Sequence, residues 1–170
     1  PTPDHRIRNA FTKVYGAEFS ERFWDSFTRN FVTEEDFEFL KSCGVNVLRV
    51  PFNYHLFLDD QHPDEIREQG FVYFDRLLDL CDTYQIYLLP DLHTTPGGQN
   101  PDWHSDNATG IPQFWHYKVF RDQMVSLWAK IAGHCRDREY LLGYDVLNEP
   151  YLIDAPDLLT DFYRDVTTAI

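Results

Sequence analysis

Residues 141–150, LLGYDVLNEP, run from an apolar stretch of strand length directly into an asparagine, a glutamate and a proline. Two other segments are built the same way. Residues 86–92, IYLLPDL, contain Asp91 and are followed by His93; residues 45–51, VNVLRVP, hold Arg49 and lead to Asn53 and Tyr54. All three are apolar or β-branched enough to read as strands of a parallel sheet covered on both sides. Pro51 is expected to end the first ladder.

Helical patterns alternate with these strands. In residues 33–43, Thr33 is followed three positions on by Asp36, a start signal related to the capping box. Phe37, Leu40 and Cys43 then share a face before Gly44 stops the helix. Residues 71–84 place Phe74, Leu77, Leu78 and Cys81 on one side, and one long helix from about 113 to 135 carries Phe120, Met124, Leu127, Trp128, Ile131 and Cys135. Asp157 to Ala169 read as a further helix capped by Asp154 or Asp157, and the first 44 residues, with WDSF and FTRNF, as helix and loop.

Strands separated by helices of this length imply a parallel sheet with right-handed crossovers, either open and doubly wound or closed into an eight-stranded barrel. The polar residues arbitrate. They are spread over the C-terminal ends of all three strands, as in a barrel, and neither G-x-G-x-x-G nor G-x-x-x-x-G-K-[ST] occurs. The expected class is α/β: a segment of a TIM (β/α)8 barrel covering about strands 2 to 4 with their helices. A complete barrel takes about 250 residues, so residues 1–170 read as part of a single barrel, with the first strand and strands 5 to 8 absent from the chain. Sheet edges are then exposed on both sides.

Composition narrows the partners. Lys+Arg number 15 against 28 Asp+Glu, a net charge of −13, with no basic run to displace counterions from a phosphate backbone. No nucleic acid is expected, and no membrane span, since no apolar stretch nears the roughly 18 residues one requires. The chain reads as soluble, with secreted and cytoplasmic locations both open; the sequon Asn107-Ala108-Thr109 matters only in a eukaryotic secretory pathway. Cys43, Cys81 and Cys135 form no C-x-x-C pair and are expected to be buried thiols. Aromatic residues make up 16% of the chain, which suits either core packing or stacking on flat ligand faces, and their location must decide.

Glu149 is the strongest chemical candidate, a carboxylic acid on a rigid strand end between an amide and a proline. A general acid working near neutral pH needs water-poor surroundings or a neighbouring carboxylate, and a barrel mouth provides them. Alternatively, Asn148 and Glu149 simply begin the next turn. Arg49, a charge within an apolar strand, must be partnered, either by a structural carboxylate or by a catalytic one facing the barrel axis. His93 is either a satisfied core histidine or a hydrogen bonder to a substrate hydroxyl. Asp91 reads as a buried structural hydrogen bonder.

LRVPFNY, DLHTTPGGQN and VLNEP, in this order and on these strand ends, together resemble glycoside hydrolase family 5 from about Thr33 to Pro150, roughly two-thirds of the chain. DLHTTPGGQN is especially similar to the exo-acting fungal and bacterial β-glucanases of that family. The resemblance implies a retaining β-glycosidase acting on a β-glucan or related β-glycoside. It places Arg49 near the catalytic carboxylates, His93 on the sugar next to the cleavage point, Asn148 on its 2-hydroxyl and Glu149 as acid/base. Tyr54 and Trp103 are carried over as stacking surfaces in the loops above the strands. It implies no metal and no cofactor, and an oligo- or polysaccharide as substrate. The nucleophile belongs to a seventh strand beyond Ile170, as do a His, a Tyr and a Trp of the family. The segment alone is therefore expected to be inactive, and the remaining part of the barrel, as a separate segment, is its expected partner.

Two rival functions stay open on the residues. One is a carbohydrate-binding or scaffold barrel without catalysis. The other is a metal-dependent barrel hydrolase using Asp91-x-His93, Asp102-x-His104, His116 and His134, although neither H-x-H nor H-E-x-x-H occurs. The loop from Thr94 to Gln113, with Pro96, Gly97, Gly98 and Trp103, is long enough to wall one end of a cleft, which leans toward exo-action or short oligosaccharides. β-1,3-Glucan, β-1,4-glucan, mannan and a glycosylated lipid or flavonoid all remain open as substrates.

Overall fold

The computed structural model describes residues 2–152 and 156–170. Two helices come first, α1 (Asp4–Tyr15) and α2 (Ala17–Phe31), joined at Gly16, whose φ of 84° an L-residue avoids. They pack on each other through Phe11, Phe23 and Trp24, with Arg8 lying 4.3 Å above the Trp24 ring. Helix α3 (Glu34–Ser42) starts as the sequence predicts: the Thr33 N–H donates to the Asp36 carboxylate at 2.8 Å. After it come β1 (Val47–Asn53), a small hairpin of β2 (Leu58–Asp59) and β3 (His62–Ile66), α4 (Glu68–Tyr84) and β4 (Tyr87–Thr94). Helices α5 (Gln113–His116), α6 (Lys118–Cys135) and α7 (Pro156–Ala169) follow. The α7 cap assigned to Asp154 lies outside the described residues, and Asp157 falls within the first turn rather than ahead of it.

β1 and β4 pair in parallel, Val47 opposite Tyr87 and Phe52 opposite Leu92. Pro51 does not end this ladder, which continues to Asn53. Among the described residues β1 is paired on one side only, and a residue without an N–H is tolerated on such an edge. Alternation sends Leu48, Val50 and Phe52 toward the helices, where Phe52, Leu88 and Leu92 join Phe74, Leu78, Cys81, Leu127, Trp128 and Ile131 in the core. The rings of Phe52, Phe57, Phe74 and Trp128 meet edge to face there. The opposite face, with Val47, Arg49 and Tyr87, is open, so the expectation of a sheet covered on both sides is corrected. In a closed barrel that face looks onto the axis, and only further strands can cover it.

The third expected strand, 141–148, runs parallel to β4 but is not a continuous ladder. It forms two isolated bridges, Leu88 with Leu141 and Asp91 with Asp145. The interruption has a local cause. Leu88 N–H donates to Tyr140 O and Leu92 N–H to Asp145 O, so four steps on β4 answer five on its neighbour. Between those two donors stands Pro90, which has none, and opposite it the chain bulges through Gly143 at φ 157°.

The long helix expected over 113–135 is broken at Tyr117 (φ −113°, ψ 112°). Trp115 turns inward to donate its indole N–H to Gln99 O at 2.9 Å, and Arg121 caps the freed carbonyls of Phe114 and Trp115. Cys81 and Cys135 are buried thiols, but Cys43 is exposed at the end of α3, a correction to the reading of all three as buried. No helix among the described residues is long and apolar enough to cross a membrane.

Candidate active site

The sheet order brings Arg49, Asp91, His93 and Asn148 together on the open side. Asp91 is 0% exposed, and one of its oxygens takes both neighbours: Arg49 Nη2 at 3.0 Å and His93 Nδ1 at 2.7 Å. The shared acceptor orients both donors and fixes a His93 proton on Nδ1, leaving Nε2 free to point elsewhere. Arg49 also donates from Nε to Asp145 at 2.9 Å and from Nη2 to Asn148 Oδ1 at 2.7 Å. The guanidinium is held charged above its usual range, first by the Asp145 hydrogen bond and further by the charges of Asp91, Asp145 and Glu149. Asn148 is thereby oriented, and its buried Nδ2 has no partner among the described residues.

Glu149 follows at φ 42°, a left-handed conformation that costs a glutamate about 1–2 kcal/mol and persists only when its surroundings enforce it. The loop after β4 does so. Asn100 Nδ2 donates to Glu149 O at 3.0 Å, Gln99 Nε2 bonds both His93 O and Asn148 O, and Tyr151 N–H returns to Gln99 O. Gln99 thus ties the ends of two neighbouring strands together. Asn107, the sequon residue, is buried and spends its amide on Asn100 O and Ile111 O. Gly97 and Gly98, at φ 75° and 72°, let this loop close against Phe120 and Asn107. The Glu149 side chain is 70% exposed, and its Oε2 lies 3.3 Å from His104 Nε2. The described residues do not supply the water-poor surroundings a general acid needs.

Tyr54 and Trp103 part company. Trp103 is 51% exposed and presents a ring at the site's rim, edge-on to His104. Tyr54 is 6% exposed, donates its hydroxyl to Asp60 at 2.7 Å and receives no open face; burial first, and Asp60 second, push its phenol well above the usual range. Sequence reasoning missed Asp145, Gln99 and Asn100. Asp145 is a polar residue in an otherwise apolar stretch that leads to a strand end, and Gln99 and Asn100 follow two glycines in the loop after β4, which are the signals that could have found them. His116 and His134 lie exposed on α5 and α6, and His134 is paired with Asp75 at 2.9 Å. Among the described residues no three His, Cys, Asp or Glu side chains converge as metal ligands.

Comparison with known proteins bears on the family and the fold. A β-xylosidase of Phanerodontia chrysosporium is 47% identical over 150 residues, covering 88% of this chain and 32% of the relative. Endoglucanase C of Acetivibrio thermocellus is 29% identical over 132 residues, 77% of this chain and 35% of its own length. The chain therefore spans about a third of the curated relatives it matches. Among solved structures, the rutinosidase from Aspergillus niger superimposes with a TM-score of 0.70 at 19% identity, over 82% of this chain and 44% of that one. That likeness establishes the fold as part of a TIM barrel. The model of the cellulase family, glycosyl hydrolase family 5, matches residues 9–170, and with nearly the whole length so matched the chain belongs to that family.

Proposed function

We propose that this chain is the part of a retaining β-glycosidase barrel that carries the general acid/base, Glu149, and the groups that seat the sugar beside it. The observation that carries this reading is the assembly of Arg49, His93 and Asn148 on one sheet face, with Glu149 held next to Asn148 in a strained backbone conformation. In the first half-reaction Glu149 passes its proton to the glycosidic oxygen as the bond to the anomeric carbon breaks and a second carboxylate takes that carbon. In the second half Glu149 takes a proton from the water that releases the sugar. Retention needs the two carboxyl groups about 5–5.5 Å apart, and the nucleophile lies outside this chain. Asn148, turned by Arg49 with an unpartnered Nδ2, suits the sugar 2-hydroxyl, and His93 Nε2 suits a neighbouring hydroxyl. Trp103 is the stacking surface at the rim; Tyr54 supports the wall from inside.

The rest of the barrel, as further sequence or as a separate segment, covers the open sheet face. The substrate class is a β-glucan or related β-glycoside. Relatives named β-xylosidase, endoglucanase and glucan 1,3-β-glucosidase make aryl β-xylosides and β-glucosides the first substrates to try. In the complete protein, Glu149→Gln keeps the size and hydrogen bonding but removes the transferable proton. Turnover of substrates with poor leaving groups is expected to fall by roughly 10²–10⁴ while sugar binding survives. Unchanged turnover would end the acid/base assignment, and absence of turnover in the unmodified protein, with sugar binding intact, would favour a binding barrel.

A further inference from the structure

The loop that holds the Glu149 backbone also delivers a side chain to its carboxyl group. His104 lies in the single helical turn Trp103–Ser105, pinned by Ser105 Oγ, which donates to Asn100 O at 3.0 Å and Asp102 O at 2.8 Å. The ring is 23% exposed, with Nε2 3.3 Å from Glu149 Oε2 and 3.8 Å from Asp102 Oδ2. Nδ1 is buried and has no partner among the described residues. A proton there would be a buried donor with nothing to accept it, whereas an idle lone pair costs less. The neutral ring therefore carries its proton on Nε2, the nitrogen that lies 3.3 Å from the carboxyl group.

We propose that His104 is a positioning residue for Glu149, donating its Nε2–H to Oε2 so that the other carboxyl oxygen carries the transferable proton. This rests on the acid/base reading of Glu149 and deepens it. When Glu149 gives up its proton, the bond from His104 becomes a charge-assisted one and steadies the carboxylate that must next take a proton from water. His104 donates throughout and carries no net proton. The other charged or titratable groups facing its ring are Asp102 from the same loop and, with ring centroids 5.7 Å apart, His93 from β4, backed by Asp91 and Arg49. A donor to the carboxylate favours the ionised form, so its removal moves the alkaline limb of the rate profile to higher pH.

The test uses the complete protein. His104→Ala and His104→Phe remove the donor, while His104→Gln keeps a side-chain N–H. The alkaline limb of kcat/KM for an aryl β-glycoside with a poor leaving group is expected to rise by about one pH unit in the first two variants. Their turnover of that substrate should fall about tenfold, at the low edge of what positioned proton transfer contributes. Substrates with activated leaving groups are affected less, and His104→Gln restores both the limb and the rate. Profiles of His104→Ala and His104→Phe that superimpose on the unmodified protein would overturn the proposal. Glu149→Gln run alongside separates the two failures: if it loses turnover while the His104 variants keep the limb, only the role of His104 falls, and if it keeps turnover, the acid/base reading falls first. Should neither donor-free variant fold, ring ¹⁵N shifts of the unmodified protein decide, with a proton on Nε2 expected and one on Nδ1 contradicting the proposal.

Discussion

At the residue scale the site turns on Asp91, a buried carboxylate that no ligand needs to touch. Its single oxygen organises Arg49 and His93, and through Arg49 the amide of Asn148. Asp91→Asn keeps the shape but replaces an ionised acceptor with a neutral one. The variant is expected to lose roughly 1–3 kcal/mol of stability, read from urea denaturation, because hydrogen bonds to charged groups are of that size. It should also raise KM more than it lowers kcat on activated aryl glycosides, since His93 loses the partner that fixes its tautomer. Much of this was legible in the sequence. Arg49 inside VLRVP had to find a carboxylate, and Asp91 inside LLPDL had to find a donor, because neither charge can stay unpaired in such surroundings. That they find each other, and that Asp145 joins them, depends on strand register, which single segments do not encode.

At the element scale, the sequence reading located α3, α4, α7, β1 and β4 to within a few residues, because their buried faces repeat at 3.6 or 2 residues, while α1 and α2 are read only as helix and loop. It failed where backbone hydrogen bonding rather than side-chain pattern decides. The bulge opposite Pro90 and the break at Tyr117 both follow from donors and acceptors being satisfied elsewhere. The hairpin Leu58–Ile66 is short and polar and gives little pattern to read. The loop from Thr94 to Gln113 is an element in its own right, built on buried amides and two left-handed glycines. Gly98→Ala would force φ 72° on an L-residue and put a Cβ 2.8 Å from Asn107. A cost of about 1–3 kcal/mol is expected, with the thermal midpoint lowered accordingly. Activity should fall with it, because Asn107 holds Asn100 and Asn100 holds Glu149.

At the scale of the whole molecule, the core is one continuous layer between the sheet and α3, α4, α6 and α7, and the opposite face of the sheet is uncovered. The aromatic surplus divides accordingly. One part fills the core edge to face; a second forms the α1–α2 cluster, which docks on the site loop through His5 to Asp106 at 2.8 Å and Arg6 to Ala108 O. Core burial also separates the thiols. It pushes Cys81 up to about 12 and Cys135 up to about 11, so neither forms thiolate at neutral pH. Alkylation at pH 7 followed by peptide mass spectrometry should therefore label Cys43 alone, and labelling of all three should appear only on denaturation. Early labelling of Cys81 or Cys135 would mean that the core opens when the sheet lacks its neighbours.

The sequence by itself determined the class of fold, the strand ends that carry chemistry and the family, because burial periodicity and short strand-end motifs are local properties of the chain. Tertiary structure alone decided which polar groups meet. Asp145 on Arg49, Gln99 across two strands, Asn100 on the Glu149 carbonyl and His104 on its carboxyl are contacts between residues 45 or more positions apart, apart from the Gln99 bond to His93. The first three are hydrogen bonds and the last a close approach of 3.3 Å; all require distance and angle that are set only when the sheet register and the loop closure have placed both partners.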